Sequence, residues 1–187
     1  MIALSVAALL ALAPTLPDDS LYLVEDRYED QTGRALQLVS FRGEPVLLAM
    51  FYARCPQACP LLISEVKRVL AALPPAERDI VKVVLVTLDP VRDTPAFLRQ
   101  TMTSRSLAPG RWTLLRSNPE ATRTLAALLG VRYRAGAGGA IDHSSQIALL
   151  DRVGRTVAVR GDLSAPLESF VAAVVDAARR PASPTGP

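Results

Sequence analysis

Two short runs dominated by apolar residues, PVLLAMFY at 45–52 and IVKVVLVTL at 80–88, constrain this chain more than anything else in it. Each is short for a helix, and the second is rich in β-branched valine, which favours extended backbone. Their apolar side chains fall at successive positions and do not alternate with polar ones. A strand of that kind is buried on both faces, so a layer of other elements must cover each side of the sheet.

The rest of the chain supplies that cover. Residues 60–73 (PLLISEVKRVLAAL) place Leu62, Val66, Val69, Leu70 and Leu73 at helical spacing, and the double proline at 74–75 closes the helix. Asp93 or Thr94 supplies an N-cap and Pro95 an early helical position for a helix through about Ser106. WTLLR at 112–116 reads as a third strand, and Ser117 or Asn118 caps a helix through Leu129 that stops at Gly130. AGAGGA at 135–140 reads as a loop. QIALLD and RTVAVRG then flank the turn Asp151-Arg152-Val153-Gly154 as a hairpin, and Ser164 begins a last amphipathic helix to about Ala178.

Strands alternating with helices define an α/β protein with a central sheet covered on both faces, and the final hairpin makes that sheet mixed. The order resembles a thioredoxin-like fold with one extra strand–helix insertion and a short N-terminal hairpin within 22–41. The domain is expected over 21–178, followed by a disordered Pro-rich tail at 179–187.

From Ile2 to Ala13 every residue except Ser5 is apolar. A membrane-spanning helix needs about 20 apolar residues. This stretch suits a secretory signal better, with Ala11-Leu12-Ala13 as a small-x-small cleavage site, although no Lys or Arg precedes it. Residues 1–20 are therefore read as an export signal or, alternatively, a membrane anchor. The net charge of +3 is mild and the basic residues are scattered without interleaved aromatics, so nucleic acid is not an expected partner.

The only two cysteines, Cys55 and Cys59, lie in ARCPQACPLL, between the first buried strand and the helix that follows. A helix N-terminus offers unpaired amides and positive partial charge, both of which favour thiolate over thiol. Four positions along a helix separate Cβ atoms by about 5–6 Å. That exceeds the ~3.5–4.5 Å of a disulfide, though a partly unwound turn closes the gap. It also suits two sulfurs converging on one metal ion, and Pro56 and Pro60 stiffen the loop. A third ligand is then needed. The sole histidine, His143 in IDHSSQ, follows the glycine-rich loop at the strand edge expected to face the cysteine helix. Two thiolates and an imidazole suit Cu(I), with Cu(II) accessible through added oxygen ligands, whereas structural zinc prefers four ligands. A thiol–disulfide pair, a peroxidase and a structural crosslink are the competing readings of the same cysteines. Asp89 and Asp93 lie on the same edge. They read as turn and cap residues, or as groups behind the metal ligands or against a partner. Arg54 reads either as a cation favouring the thiolates or as a solvated side chain.

CPQACP after one strand, TLDPVRDTP after the next and IDHSSQIALLDRVGR further on together resemble the Sco/SenC family over roughly 22–175. The resemblance implies a copper site of Cys55, Cys59 and His143 and a metallochaperone that supports assembly of the binuclear copper A centre of cytochrome c oxidase. It implies subunit II of that oxidase, or another copper acceptor, as the partner, with an upstream copper donor or thiol reductant. The alternative within the family is a thiol–disulfide oxidoreductase that reduces a partner's cysteines, with Cys55 and Cys59 as the redox pair. Family members are exported and usually tethered to a membrane facing the periplasm or mitochondrial intermembrane space. Ala53-Arg54 lacks the Thr or Asn often found before the first cysteine.

Overall fold

A computed structural model describes residues 15–54, 58–136 and 141–181. The two apolar runs are adjacent parallel strands, β3 (Val46–Phe51) and β4 (Lys82–Thr87), at the middle of a seven-stranded mixed sheet. The other strands are β1 (Tyr28–Asp30), β2 (Ala35–Leu36), β5 (Trp112–Arg116), β8 (Ile147–Leu150) and β9 (Thr156–Arg160), in the spatial order β2-β1-β5-β4-β3-β8-β9. Strand β5 runs parallel to β4, while β1, β8 and β9 join antiparallel. The N-terminal hairpin of the sequence reading is β1–β2, stitched to the sheet edge through β1.

All six residues of β3 are buried, and alternate side chains feed two separate cores. Leu47, Ala49 and Phe51 pack under α1 (Ala58–Ala72), α3 (Pro95–Ser104) and α5 (Glu168–Arg179). Val46, Leu48 and Met50 pack under α4 (Pro119–Leu129) and the N-terminal segment around Leu21, Tyr22 and Leu38. This two-sided burial accounts for the unbroken apolar runs. The expected caps are in place: the Thr94 hydroxyl accepts from the Phe97 amide, and Asn118 Oδ1 accepts from the Ala121 amide at 2.8 Å. Gly130 ends α4 at φ +70, a left-handed conformation that side chains disfavour. These features are those of a thioredoxin-like fold.

Three features depart from the sequence reading. Pro74 and Pro75 close one helix but also start another, α2 (Pro75–Ile80), because proline fits a first helical position. The last helix begins at Glu168 and not at Ser164, since the carbonyls of Leu163, Ala165 and Pro166 turn toward the Arg160 guanidinium. The glycine-rich segment is flanked by a two-stranded sheet, β6 (Tyr133–Ala135) with β7 (Ile141–His143), so His143 ends a strand where a loop was expected. Residues 15–20, within the segment read as an export signal or anchor, are described and contact the domain. Leu16 packs on the core, and Ser20 donates to the Val153 carbonyl at 2.5 Å. Beneath Ser20 sits Gly154, where an added Cβ would come within 2.6 Å of Ser20 Oγ and the Tyr22 ring. Residues 1–14 and 182–187 lie outside the described residues.

The helix carrying Cys59 is fixed from below by an ion pair that only the fold reveals. Glu65 on α1 and Arg160 on β9 are both almost fully buried, with Arg160 Nε donating to Glu65 Oε1 at 2.7 Å. The other guanidinium nitrogens donate to Pro166, Leu163 and Ala165 carbonyls at 3.0, 3.2 and 2.7 Å. Truncating one member of a buried pair costs about 3–5 kcal/mol when the other charge is left alone, but Arg68 Nη1 also donates to Glu65 Oε2 at 2.7 Å and offsets part of that. Arg160→Met should lower unfolding stability in urea by less than that limit, whereas the double change Glu65→Leu/Arg160→Met should recover most of the loss.

Candidate metal centre

Strand β3 ends at Phe51, and the chain turns through Tyr52, Ala53 and Arg54 toward the cysteines. Cys55, Pro56 and Gln57 lie outside the described residues, as do the side chains of Ala58, Cys59 and Pro60. The backbone of Cys59 stands in the first turn of α1, which begins at Ala58. It is therefore placed where free amides and the helix dipole favour a thiolate.

Asp93 holds the approach to this loop. Its side chain is completely buried, and its Oδ2 accepts from the Ala53 amide at 3.2 Å and the Thr87 hydroxyl at 2.5 Å. Thr87 Oγ1 in turn accepts from the Asp89 amide at 3.0 Å, and the Leu88 amide donates to the Phe51 carbonyl at 2.8 Å. The ends of β3 and β4 are thus joined by one carboxylate and one hydroxyl. Asp93 Oδ1 has no hydrogen-bond partner among the described residues, and Arg54 Nε lies 3.7 Å from it. Burial pushes the Asp93 carboxyl above its ordinary pKa of 3.8, with the nearby Asp89 charge adding to the rise, while Thr87, Ala53 and Arg54 oppose it.

Asp89 has a different assignment. Its Oδ2 accepts from Arg92 Nε in a short hydrogen bond, and Oδ1 accepts from the Arg92 amide at 3.4 Å. Asp89 thus orders the loop through Arg92, whereas Asp93 reaches the residue two positions before Cys55. Arg54 is neither simply solvated nor shown acting on sulfur: its guanidinium carbon lies 4.1 Å from the Phe97 ring centroid.

His143 is half-buried and sits opposite Tyr133 in the β6–β7 pair. Its Nδ1 is 3.1 Å from the Ser144 carbonyl. A proton on Nδ1 would satisfy that carbonyl. The groove alongside, of about 320 Å³, is lined by Arg132, Tyr133, Arg134, Asp142, His143 and Ser144. Topology fixes which end of the sheet this is. Ile147 at the start of β8 pairs with Ala49 near the end of β3, and the strands are antiparallel. The segment before β8, with His143, therefore lies at the sheet end from which the cysteine loop leaves. Among the described residues no three His, Cys, Asp or Glu side chains cluster as a metal site.

Fold and site together define a thioredoxin-like protein with Cys59 in the first turn of a helix and His143 at the same sheet end. The SCO1/SenC family model matches residues 24–178, and the chain belongs to that family. A protein of Stutzerimonas stutzeri with a copper-binding designation is 30% identical over 143 residues, which is 74% of this chain and 67% of that protein. Copper-bound ScoI of Bradyrhizobium japonicum is 27% identical, with a TM-score of 0.67 over 81% of this chain and 96% of that one. BsSco, described as a member of the Sco family of cytochrome c oxidase assembly proteins with a disulfide switch, shares the fold at 20% identity. Its TM-score is 0.72, covering 88% of this chain and 98% of that one.

Because the folded chain retains the Asp93 proton to higher pH than the unfolded chain does, stability should fall as pH rises from about 4 through the raised value. Asp93→Asn keeps an acceptor oxygen for Ala53 and Thr87 and removes the ionisation. Urea unfolding between pH 4 and 8 should show a flatter profile for the variant. Parallel profiles would contradict the assignment.

Proposed function

We propose that this protein is a copper metallochaperone holding one copper ion through Cys55, Cys59 and His143. The observation that carries the reading is the convergence at one sheet end of a helix start bearing Cys59 and a histidine with Nδ1 against a carbonyl. Two thiolates and one imidazole form a soft donor set suited to Cu(I), with Cu(II) accessible if oxygen ligands add. Copper is the cargo. The chain's part is to keep both sulfurs deprotonated at the helix start, to present the His143 imidazole, and to fix the loop through Ala53 and Asp93. Membership in the SCO1/SenC family and the copper-bound relative support the metal. The acceptor we propose is the binuclear copper A centre of oxidase subunit II, in keeping with the oxidase-assembly role of the Sco family. The site of action is the periplasmic side of a membrane, reached by export or tethering through the apolar start. No helix among the described residues is long and apolar enough to cross a membrane.

The same cysteines support a release step. Attack of one thiolate on a partner's disulfide forms a mixed disulfide. Attack by the other then closes Cys55–Cys59 and leaves the partner with two thiols. The electron pair has moved to the partner, and this chain has lost its two sulfur ligands.

Reduced protein offered Cu(I) and then desalted should retain one copper per chain. Cys55→Ser, Cys59→Ser and His143→Ala should each lose it, by at least about tenfold in affinity. Retention by none of the proteins, wild type included, would defeat the reading. Disulfide exchange that survives His143→Ala but not either cysteine change, without copper retention by the wild type, would establish a reductase instead.

A further inference from the structure

The residue after His143 exchanges one hydrogen bond for another. The β6–β7 register sets Tyr133 opposite His143, and one step beyond the strands it sets Arg132 opposite Ser144. In a hydrogen-bonded pair of an antiparallel ladder, each amide donates to the other residue's carbonyl. One of these bonds is present, since the Ser144 amide donates to the Arg132 carbonyl at 2.9 Å. The second is replaced. The Arg132 amide donates to the Ser144 hydroxyl at 3.0 Å, and the Ser144 carbonyl lies 3.1 Å from His143 Nδ1. Serine hydroxyls compete with carbonyls for nearby amides in this way. Here a hydroxyl stands in for a carbonyl in the ladder, and the carbonyl it releases faces the imidazole.

That carbonyl is also fixed in direction. Arg132 follows α4 directly after its Gly130 stop, where the Val131 amide donates back to the Ala126 carbonyl at 2.8 Å. On the other side of Ser144, Gln146 Nε2 donates to the Leu129 carbonyl in a short hydrogen bond. Ser144 thus stands between two ties to the end of α4. An acceptor held in this way selects the imidazole tautomer with its proton on the facing nitrogen, and sets the ring plane with it.

We propose that Ser144 is the positioning residue for His143: its hydroxyl takes the Arg132 amide, so that its carbonyl holds the ring with the proton on Nδ1 and leaves Nε2 as the nitrogen for copper. That the ring serves copper rests on the copper-delivery reading; the hold on the ring rests on the hydrogen bonds. Ser144 acts through His143 and on no other ligand. The exchange has a consequence that an ordinary structural serine lacks. In Ser144→Ala the Arg132 amide can donate to the Ala carbonyl at position 144, which restores the usual ladder and keeps the fold, while the imidazole loses its claim on that carbonyl. Ser144→Thr keeps a hydroxyl in the same place and keeps the exchange.

The test uses the full chain as wild type, Ser144→Ala and Ser144→Thr. In the metal-free proteins, nitrogen NMR of the single imidazole, recorded with the ring neutral, reports which nitrogen carries the proton. The wild type and Ser144→Thr should hold it on Nδ1, and Ser144→Ala should shift population toward a proton on Nε2. Urea unfolding should be the same for all three. Cu(I) affinity, read by competition with a chelator, should fall about tenfold in Ser144→Ala and be restored in Ser144→Thr. The proposal is overturned by a wild-type proton on Nε2, by a tautomer that Ser144→Ala leaves unmoved, or by a Ser144→Ala chain that loses stability, which would make the hydroxyl a structural tie. Tighter Cu(I) binding by Ser144→Ala would also overturn it, by showing that the carbonyl competes with copper for Nδ1. Should the wild type bind no copper, the delivery reading fails alone, because the tautomer of the metal-free ring still decides whether Ser144 sets it.

Discussion

Burial of β3 and β4 on both faces is the constraint from which the rest follows. Strands covered on two sides leave their polar backbone groups no route to water except at their ends. At the end where the cysteine loop leaves, the Ala53 and Asp89 amides nevertheless find acceptors inside the protein. Asp93 and Thr87 provide them, with Thr87 donating to the carboxylate while accepting from Asp89. The loop that carries Cys55 is tethered at Ala53 and so departs from a fixed point. A reactive pair on an otherwise free loop would give up this preorganisation.

A second anchor acts on the other arm of the site. Glu65 lies six positions beyond Cys59 on the same helix, and its pairing with Arg160 ties α1 to the far edge of the sheet. Arg160 also accounts for the late start of α5, because three carbonyls before Glu168 point at its guanidinium instead of entering helical hydrogen bonds. One buried cation thus serves both the cysteine helix and the closing helix. Ala53 before the cysteine segment is held by a carboxylate, and α1 after it by an ion pair.

What the sequence disclosed and what it concealed divides by range of interaction. Thr94, Asn118 and Gly130 act on backbone within three or four residues, and their caps were legible as local signals. The two buried strands were legible because their cover is written in their own composition. The placement of His143 at the cysteine end followed from strand order, although its position in β7 did not, since β6–β7 pairing spans the glycine-rich segment. Glu65 and Arg160 are 95 positions apart, and neither shows any local pattern to mark it as buried. Arg54 read as a cation favouring the thiolates or as a solvated side chain, because Phe97 and Asp93 approach it only in the folded chain. Thr87 carried a weak signal, as a hydroxyl closing an apolar strand just before Asp-Pro.

The two aspartates of the loop after β4 show how one motif divides its work. Both sit behind an arginine, but Asp93 is turned inward to backbone and hydroxyl, whereas Asp89 is spent on Arg92. An arginine facing outward needs a carboxylate or a ring behind it to fix its direction, and here it has both. Were the aspartates exposed and the arginines buried, the same four charges would present an acidic face beside the cysteines, repelling acidic partners and disfavouring thiolates by like charge. The observed depth order keeps both carboxylates buried and leaves the two arginines partly exposed. That order is a property of packing, set by Phe97, Tyr52 and the buried ends of β3 and β4, and not of net charge.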